Sequence, residues 1–169
     1  STTDDKKILN ITVEEKPTGE LSAGAGVGTG GASIGFSVRE NNYLGKGVKL
    51  NSTVNIDADS IKGGVSVTVP NYNYSDNSLT ATVQSSTEDY LTDYGYKTSK
   101  IGFSVGTSFE QYRDFYFSPT ISAYAESLST VSKASTNLKK QEGSYSDLFF
   151  DYALTYDKRD QSYQPSEGY

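Results

Sequence analysis

The sequence predicts an all-β fold: an antiparallel transmembrane β-barrel of about eight strands. Three observations predict it. Apolar and polar residues alternate with period two along most of the 169 residues, which gives each segment one apolar and one wet face. The polar faces are built mainly from Ser, Thr, Gly and Asn, which suits a wet lumen with apolar residues turned to lipid. Tyr and Phe, 14 and 7 residues, gather near segment ends, where an interfacial girdle would lie.

The segments follow in order. Leu21, Ala23, Ala25 and Val27 oppose Glu20, Ser22, Gly24, Gly26 and Gly28. Ile34, Phe36 and Val38 oppose Ser33, Gly35, Ser37 and Arg39. Val48, Leu50, Val54 and Ile56 share a face with Ser52, against Lys49, Asn51, Thr53, Asn55 and Asp57. Val65, Val67 and Val69 oppose Gly64, Ser66 and Thr68; Leu79, Ala81 and Val83 oppose Thr80, Thr82 and Gln84. Ile101, Phe103 and Val105 oppose Gly102, Ser104 and Gly106; Ile121, Ala123 and Ala125 oppose Thr120, Ser122, Tyr124 and Glu126. Leu148, Phe150, Tyr152 and Leu154 oppose Phe149, Asp151, Ala153 and Thr155, so the last strand is apolar or aromatic at positions on both faces. Ile8 to Val13 predicts a further short strand outside the barrel, closed by Pro17 and Gly19. No stretch shows helical spacing.

The connections are read from turn chemistry. Gly30-Gly31 signals a tight hairpin. Asn41 to Gly47 is a glycine-bearing turn, Asp57 to Gly64 a short polar one, and Pro70 to Asn77 an aromatic one. The longest loops are expected at Ser85 to Lys97 and Ser129 to Asp147. The girdle candidates are Tyr43, Tyr72, Tyr74, Tyr90, Tyr94, Tyr112, Phe115, Tyr116, Phe117 and Tyr156.

A soluble β-sandwich also alternates, with its apolar face inward. The hydrophobic content of 34% and the frequent Ala are thin for such a core. No run of about 18 apolar residues exists to make a membrane helix. The net charge of −6 argues against nucleic acid as a partner. With His 0 and Cys 0, the Ser-His-Asp and Cys-His mechanisms and thiolate metal sites are absent from this sequence. The reading is a non-enzyme with no cofactor and no metal. Starting at Ser1 and ending in a turn-like stretch, the chain reads as a processed or truncated product whose strands continue elsewhere.

Two motifs fail on context. Gly26 to Gly31 matches G-x-G-x-x-G, yet a strand follows where a dinucleotide site needs a helix. Asp57 and Asp59 lack the further ligands of a calcium loop. The sequons at Asn10, Asn51 and Asn73 are chance-level patterns. Asp157, Arg159, Asp160, Pro165 and Gly168 form D-x-R-D-x4-P-x-x-G at a strand end. The Arg can fork onto a carboxylate, and Pro and Gly can set a turn, giving either a surface ion pair or a device that fixes strand register.

These motifs carry a resemblance. Thr18 to Gly168 resembles the first half of the barrel of the BamA family of outer-membrane protein assembly factors. Glu14 to Gly19 followed by the glycine-alternating strand looks like the junction between the last periplasmic POTRA domain and the first barrel strand. Asn42, Leu44, Gly45 and Gly47 match the family's N-x-L-G-x-G turn. Pro70 with its aromatic neighbours resembles the turn after the fourth strand, although Val69 stands where the family usually has Asn. The motif from Asp157 to Gly168 is the most specific, and also occurs in relatives that secrete proteins or assemble autotransporters. The family's V-R-G-F motif, which lies in the other half of its barrel, does not occur here.

The resemblance implies that residues 1–17 end a POTRA domain and linker, and that 18–169 form the N-terminal half of a sixteen-stranded barrel. It implies a bacterial outer-membrane location, with the turns at Asn41, Pro70, Glu110 and Asp157 in the periplasm and the two long loops outside. It implies a role in folding and inserting other barrels by β-augmentation at a lateral gate. That edge would be Glu20, Leu21, Ser22, Ala23, Gly24, Ala25, Gly26, Val27 and Gly28. The segment lacks Pro, so it can donate along its length; its glycines weaken packing. Read alone, the same strand could carry Gly only because its lumen face is crowded. The implied partners are outer-membrane lipids, unfolded client proteins, Bam lipoproteins and the other half of the barrel. A related secretion or autotransporter-assembly barrel, a passive porin, a barrel enzyme and a soluble adhesin are the alternatives.

Overall fold

The computed structural model describes residues 10–28, 31–160, 164 and 166–168. It is one antiparallel sheet of eight strands in sequence order. They are β1 (Gly19–Gly28), β2 (Gly31–Tyr43), β3 (Val48–Asp57), β4 (Ser60–Val69), β5 (Ser78–Tyr90), β6 (Tyr96–Tyr112), β7 (Phe115–Thr130) and β8 (Gly143–Tyr156). Each strand pairs with its sequence neighbours, and β1 and β8 do not pair with each other among the described residues.

Register carries the alternation across the whole sheet. One row runs Leu21, Val38, Ser52, Val65, Val83, Phe103, Ala123, Leu148; the neighbouring row runs Ser22, Ser37, Thr53, Gly64, Gln84, Gly102, Tyr124, Asp147. One face is thus apolar and the other polar. No second layer covers the apolar face: Ala134 is the one buried apolar residue among those described, and Ile101, Phe103 and Ile121 are all more than half exposed. Their polar-face neighbours Gly102 and Ser122 are buried. The shielded, concave side is therefore the polar one. A soluble sandwich would place its shielding the other way round, because exposed apolar area costs about 25 cal/mol per Å² in water.

The apolar set also slides along the strands. Leu21, the member of β1's set nearest one end of the sheet, shares its row with Leu148, the member of β8's set nearest the opposite end. The belt thus shifts by about six residues over the sheet, about 20 Å along the strands for about 34 Å across them. That slope, about 30°, is close to the strand tilt of about 35–45° in membrane barrels. A level lipid belt crossing tilted strands has this form.

Several expectations are corrected. The loop expected at Ser85 to Lys97 is mostly strand, with only residues 91–95 connecting β5 to β6; the loop expected at Ser129 to Asp147 shrinks to residues 131–142. Beyond the belt the outward residues are Ser85, Thr87, Asp89 and Ser99, so the apolar signal stops while the backbone ladder continues. The second loop also holds a short helix, α1 (Thr136–Lys140), where no helix is expected; Ser135 caps it by accepting from the Leu138 amide at 3.3 Å. A single 3-10 turn spans Tyr72–Tyr74. The turn after Asp57 is only residues 58–59, with Gly64 inside β4. Asn10 to Val13 is irregular and exposed, not strand; Ile8 and Leu9 lie outside the described residues. Tyr90 and Tyr116 share the polar face with Glu88 and Glu110, so they do not belong to a lipid-facing girdle.

The polar face is bonded across strands. Thr68 and Thr80 hydroxyls lie 2.9 Å apart, Thr82 donates to Ser66 at 3.2 Å, and Ser118 donates to Ser108 at 2.7 Å. Lys62 pairs with Glu88 at 2.6 Å. Tyr124 lies flat over Gly102, accepts from Gln84 at 3.2 Å and receives Lys100 at 4.5 Å from its ring centroid. A Cβ on Gly102 would sit 2.5 Å from the Tyr124 ring. Gly102→Val is therefore expected to evict Tyr124 and destabilise the sheet by about 1–3 kcal/mol, as overpacking does. A lowered urea midpoint for the lipid-reconstituted protein checks this; an unchanged midpoint contradicts it.

Candidate functional site

The expected pairing edge is β1. Its ten residues are all exposed, because one flank alone is occupied, by β2. Hydrogen bonds at the strand's start set its phase. The Asn41 amide and the Asn41 side-chain Nδ2 both donate to the Thr18 carbonyl at 3.1 Å. Bonded and non-bonded pairs alternate in an antiparallel ladder, so Glu20, Ser22, Gly24, Gly26 and Gly28 make the bonds to β2. The backbone N–H and C=O groups of Gly19, Leu21, Ala23, Ala25 and Val27 point the other way, to the free flank. Among the described residues no strand receives them.

The glycines of this strand differ from those elsewhere on the polar face. A Cβ on Gly24 or Gly28 would meet nothing within 4 Å, and one on Gly26 would meet only Ser33 Oγ at 3.4 Å. On Gly35 it would meet Asn55 Oδ1 at 2.9 Å, and on Gly106 Thr120 Oγ1 at 2.5 Å. Within this sheet, packing therefore crowds Gly102 and Gly106 and leaves Gly24 and Gly28 open.

Turns hold both ends of the sheet's register. Asn42 Oδ1 accepts from the Gly47 amide at 2.7 Å, and the Gly45 amide donates to the Asn42 carbonyl at 2.9 Å. Leu44, Gly45 and Gly47 have φ of 57°, 69° and 67°; for Leu44 this is the sparsely populated left-handed region. Asn42 thus acts as the internal acceptor that closes the turn. Pro70 ends β4, and the Tyr72 amide donates to the Asn77 carbonyl at 2.7 Å to close the next turn. Gly28 pairs with Gly31 across the expected hairpin; Gly30 lies outside the described residues. Asp57 accepts from Ser60 Oγ at 2.6 Å, an ordinary turn bond.

The Asp157 motif closes a turn of its own after β8. Arg159 donates from Nε and Nη2 to the two Asp157 carboxylate oxygens at 2.7 and 2.6 Å, and the Asp157 amide donates to the Asp114 carbonyl at 2.9 Å. Asp160 Oδ1 accepts from the Ser166 and Glu167 amides at 3.0 and 3.1 Å. Gly168 has φ 98°, and a Cβ there would lie 2.7 Å from the Arg159 Cα. Pro165 lies outside the described residues. The Arg159 fork holds the Asp157 carboxyl down to about 2. A carboxylate lowered in this way contributes above its ordinary pKa, and the contribution is lost as pH falls through the lowered value. The fork is expected to persist at pH 4 and open near pH 2. The carboxylate ¹³C shift of Asp157 checks this; titration near pH 4 contradicts it.

Sequence reasoning missed the Asn41 clamp on Thr18 and the Glu40 acceptor for the Asn42 amide at 2.7 Å. It also missed the edge-to-face contact of Tyr124 with Phe149, with centroids 5.7 Å apart. The doubled Asn and the lone lumen aromatics were the available signals.

The comparisons extend the geometry. A family model of the Omp85 superfamily domain matches residues 42–169. This chain belongs to the Omp85 superfamily. Its fold is also similar to a crystal structure of BamA from Haemophilus ducreyi lacking POTRA domains 1–3, with a TM-score of 0.64 and 21% identity over 90% of this chain. The present chain spans 32% of the length of that structure. An Omp85 domain with an apolar convex belt and a polar concave face is an outer-membrane β-barrel protein, crossing the bilayer by its strands.

Proposed function

We propose that this Omp85 chain inserts and folds other β-barrel proteins into the outer membrane, with the outer edge of β1 as the strand-pairing site. Superfamily membership supports a role in barrel insertion or protein secretion. One observation supports the finer reading: β1 directs the backbone donors and acceptors of Leu21, Ala23, Ala25 and Val27 away from β2, in a strand with no Pro to interrupt them. An incoming strand can add to such an edge by backbone hydrogen bonds, with no bond made or broken and no cofactor. In this reading Glu20 to Gly28 form the gate, and the turns around Asn42, Pro70 and Asp157 to Gly168 keep the register behind it. Residues 1–17 are the end of a POTRA domain with its linker, and 18–169 the first half of a sixteen-stranded barrel. The partners are client proteins, Bam lipoproteins, outer-membrane lipids and the rest of the barrel.

Conditional depletion of the full-length protein tests the reading. Heat-modifiable barrel proteins should fall throughout the outer membrane, and unfolded forms should accumulate. Normal barrel levels with loss of one secreted protein would point instead to the secretion branch. Normal barrels with altered solute permeability would point to a passive pore.

A further inference from the structure

The lipid-facing belt is not uniform. β7 contributes Ala123 and Ala125, while β6 beside it carries Ile101 and Phe103, and β8 carries Leu148. With Val83 and Ser146, which stands opposite Ala125 on β8, these residues line a mainly apolar depression of about 560 Å³ on the outside of the sheet. Strands lie about 4.8 Å apart, so walls on β6 and β8 stand about 10 Å apart across β7. Less the girth of the wall side chains, the slot is about one hydrocarbon chain wide.

The groove has one closed and one open end. The row Val105, Ile121, Phe150 fills it on one side, and the row Ser99, Ser127, Ser144 leaves it open on the side of the 131–142 loop. From Ser127 to Ile121 is about 20 Å along a tilted strand, or about 17 Å along the membrane normal. A single leaflet contributes about 15 Å of hydrocarbon. The groove therefore matches one leaflet in depth and meets hydroxyl groups where the headgroups begin.

We propose that this groove seats one acyl chain of a membrane lipid from the loop-side leaflet, with its terminal methyl against Ile121 and its headgroup level with Ser127. The groove is continuous with the lipid-facing belt, so an acyl chain is the occupant always at hand. A partner strand is disfavoured, because both flanks of β7 are already paired and offer no free backbone edge. The inference rests on the outer-membrane location and not on the insertion role.

The test uses the full-length protein in vesicles of phosphatidylethanolamine and phosphatidylglycerol, doped with phosphatidylcholine bearing a diazirine in one acyl chain. After irradiation, lipid adducts are mapped by mass spectrometry. Adducts per unit of exposed area at Phe103, Ala123, Ala125 and Leu148 should exceed those at Val54 and Val65, also on the lipid face, several-fold. Ala125→Leu fills the floor and should remove the excess without changing labelling at Val65. Leu148→Ala lowers a wall without adding bulk and should do the same, so the test survives if one variant fails to fold. Even labelling across the belt would overturn the proposal, as would an excess that persists in both variants or adducts displaced by a bound protein.

Discussion

Proline at Ala23 or Ala25 is expected to block assembly of client barrels while leaving the sheet itself folded. Both residues direct their backbone N–H to the free flank of β1, because the Asn41–Thr18 bond puts the ladder bonds on the even-numbered positions. Proline is tolerated on an edge strand when its missing N–H faces outward. Each substitution removes one donor from a pairing with a client strand and sets a ring against its backbone. Losing one such bond, about 1 kcal/mol net, and meeting that clash should slow client assembly about tenfold or more. Proline at Ser22 or Gly24 acts differently, since it removes a bond to β2 and clashes with that strand. The protein's own folding should then fail. Heat-modifiable mobility reads both quantities, one on the clients and one on the variant. Equal client assembly in wild type and Ala25→Pro would end the pairing model. Equal misfolding at odd and even positions would end the assigned phase.

Val65→Arg should destabilise the protein strongly, and Ser66→Arg should not. Val65 lies at the middle of the apolar set of β4, between Ile61 and Val69, on the convex face. Arginine at the bilayer midplane of a barrel costs about 2–4 kcal/mol. Ser66 is its immediate neighbour on the polar face and lines the trough with Asn51, Thr53, Thr82 and Gln84. A guanidinium there stays in water and gives up only the 3.2 Å bond from Thr82. Urea unfolding of each variant in lipid vesicles measures the difference. The reverse order, with Ser66→Arg the more damaging, would mean that the faces are inverted and the sheet belongs in water.

Much of this was legible in the sequence. Parity alone assigned the faces of β1 through β8, because one residue in two meets lipid and the substitution pattern follows. The turns at Asn42 to Gly47 and Pro70 to Asn77 were legible because left-handed backbone and proline leave residue-level marks. The strand ends were less so. From Ser85 to Tyr90 and from Ser127 to Thr130 the outward residues leave the belt, so hydrophobic alternation ends before the strand does. The capped helix near Ser135 is too short to show a period. The seating of Tyr124 on Gly102 joins residues from different strands, and no local pattern marks it. The hydrogen-bond phase of β1 is likewise silent in side-chain chemistry, since Leu21 and Ser22 differ in face but not visibly in which flank their amides serve. The open space at Gly24 and Gly28 within this sheet could be seen only in three dimensions.

The chain has Cys 0, so single cysteines placed from Glu20 to Gly28 meet no competing thiol within it. Disulfide capture of a client barrel arrested during assembly by the full-length protein is the most direct test. The account predicts adducts along β1 in one register, with the client position shifting two residues for every two along the strand. Adducts absent from β1, and found instead at trough residues such as Thr53 or Ser66, would contradict it.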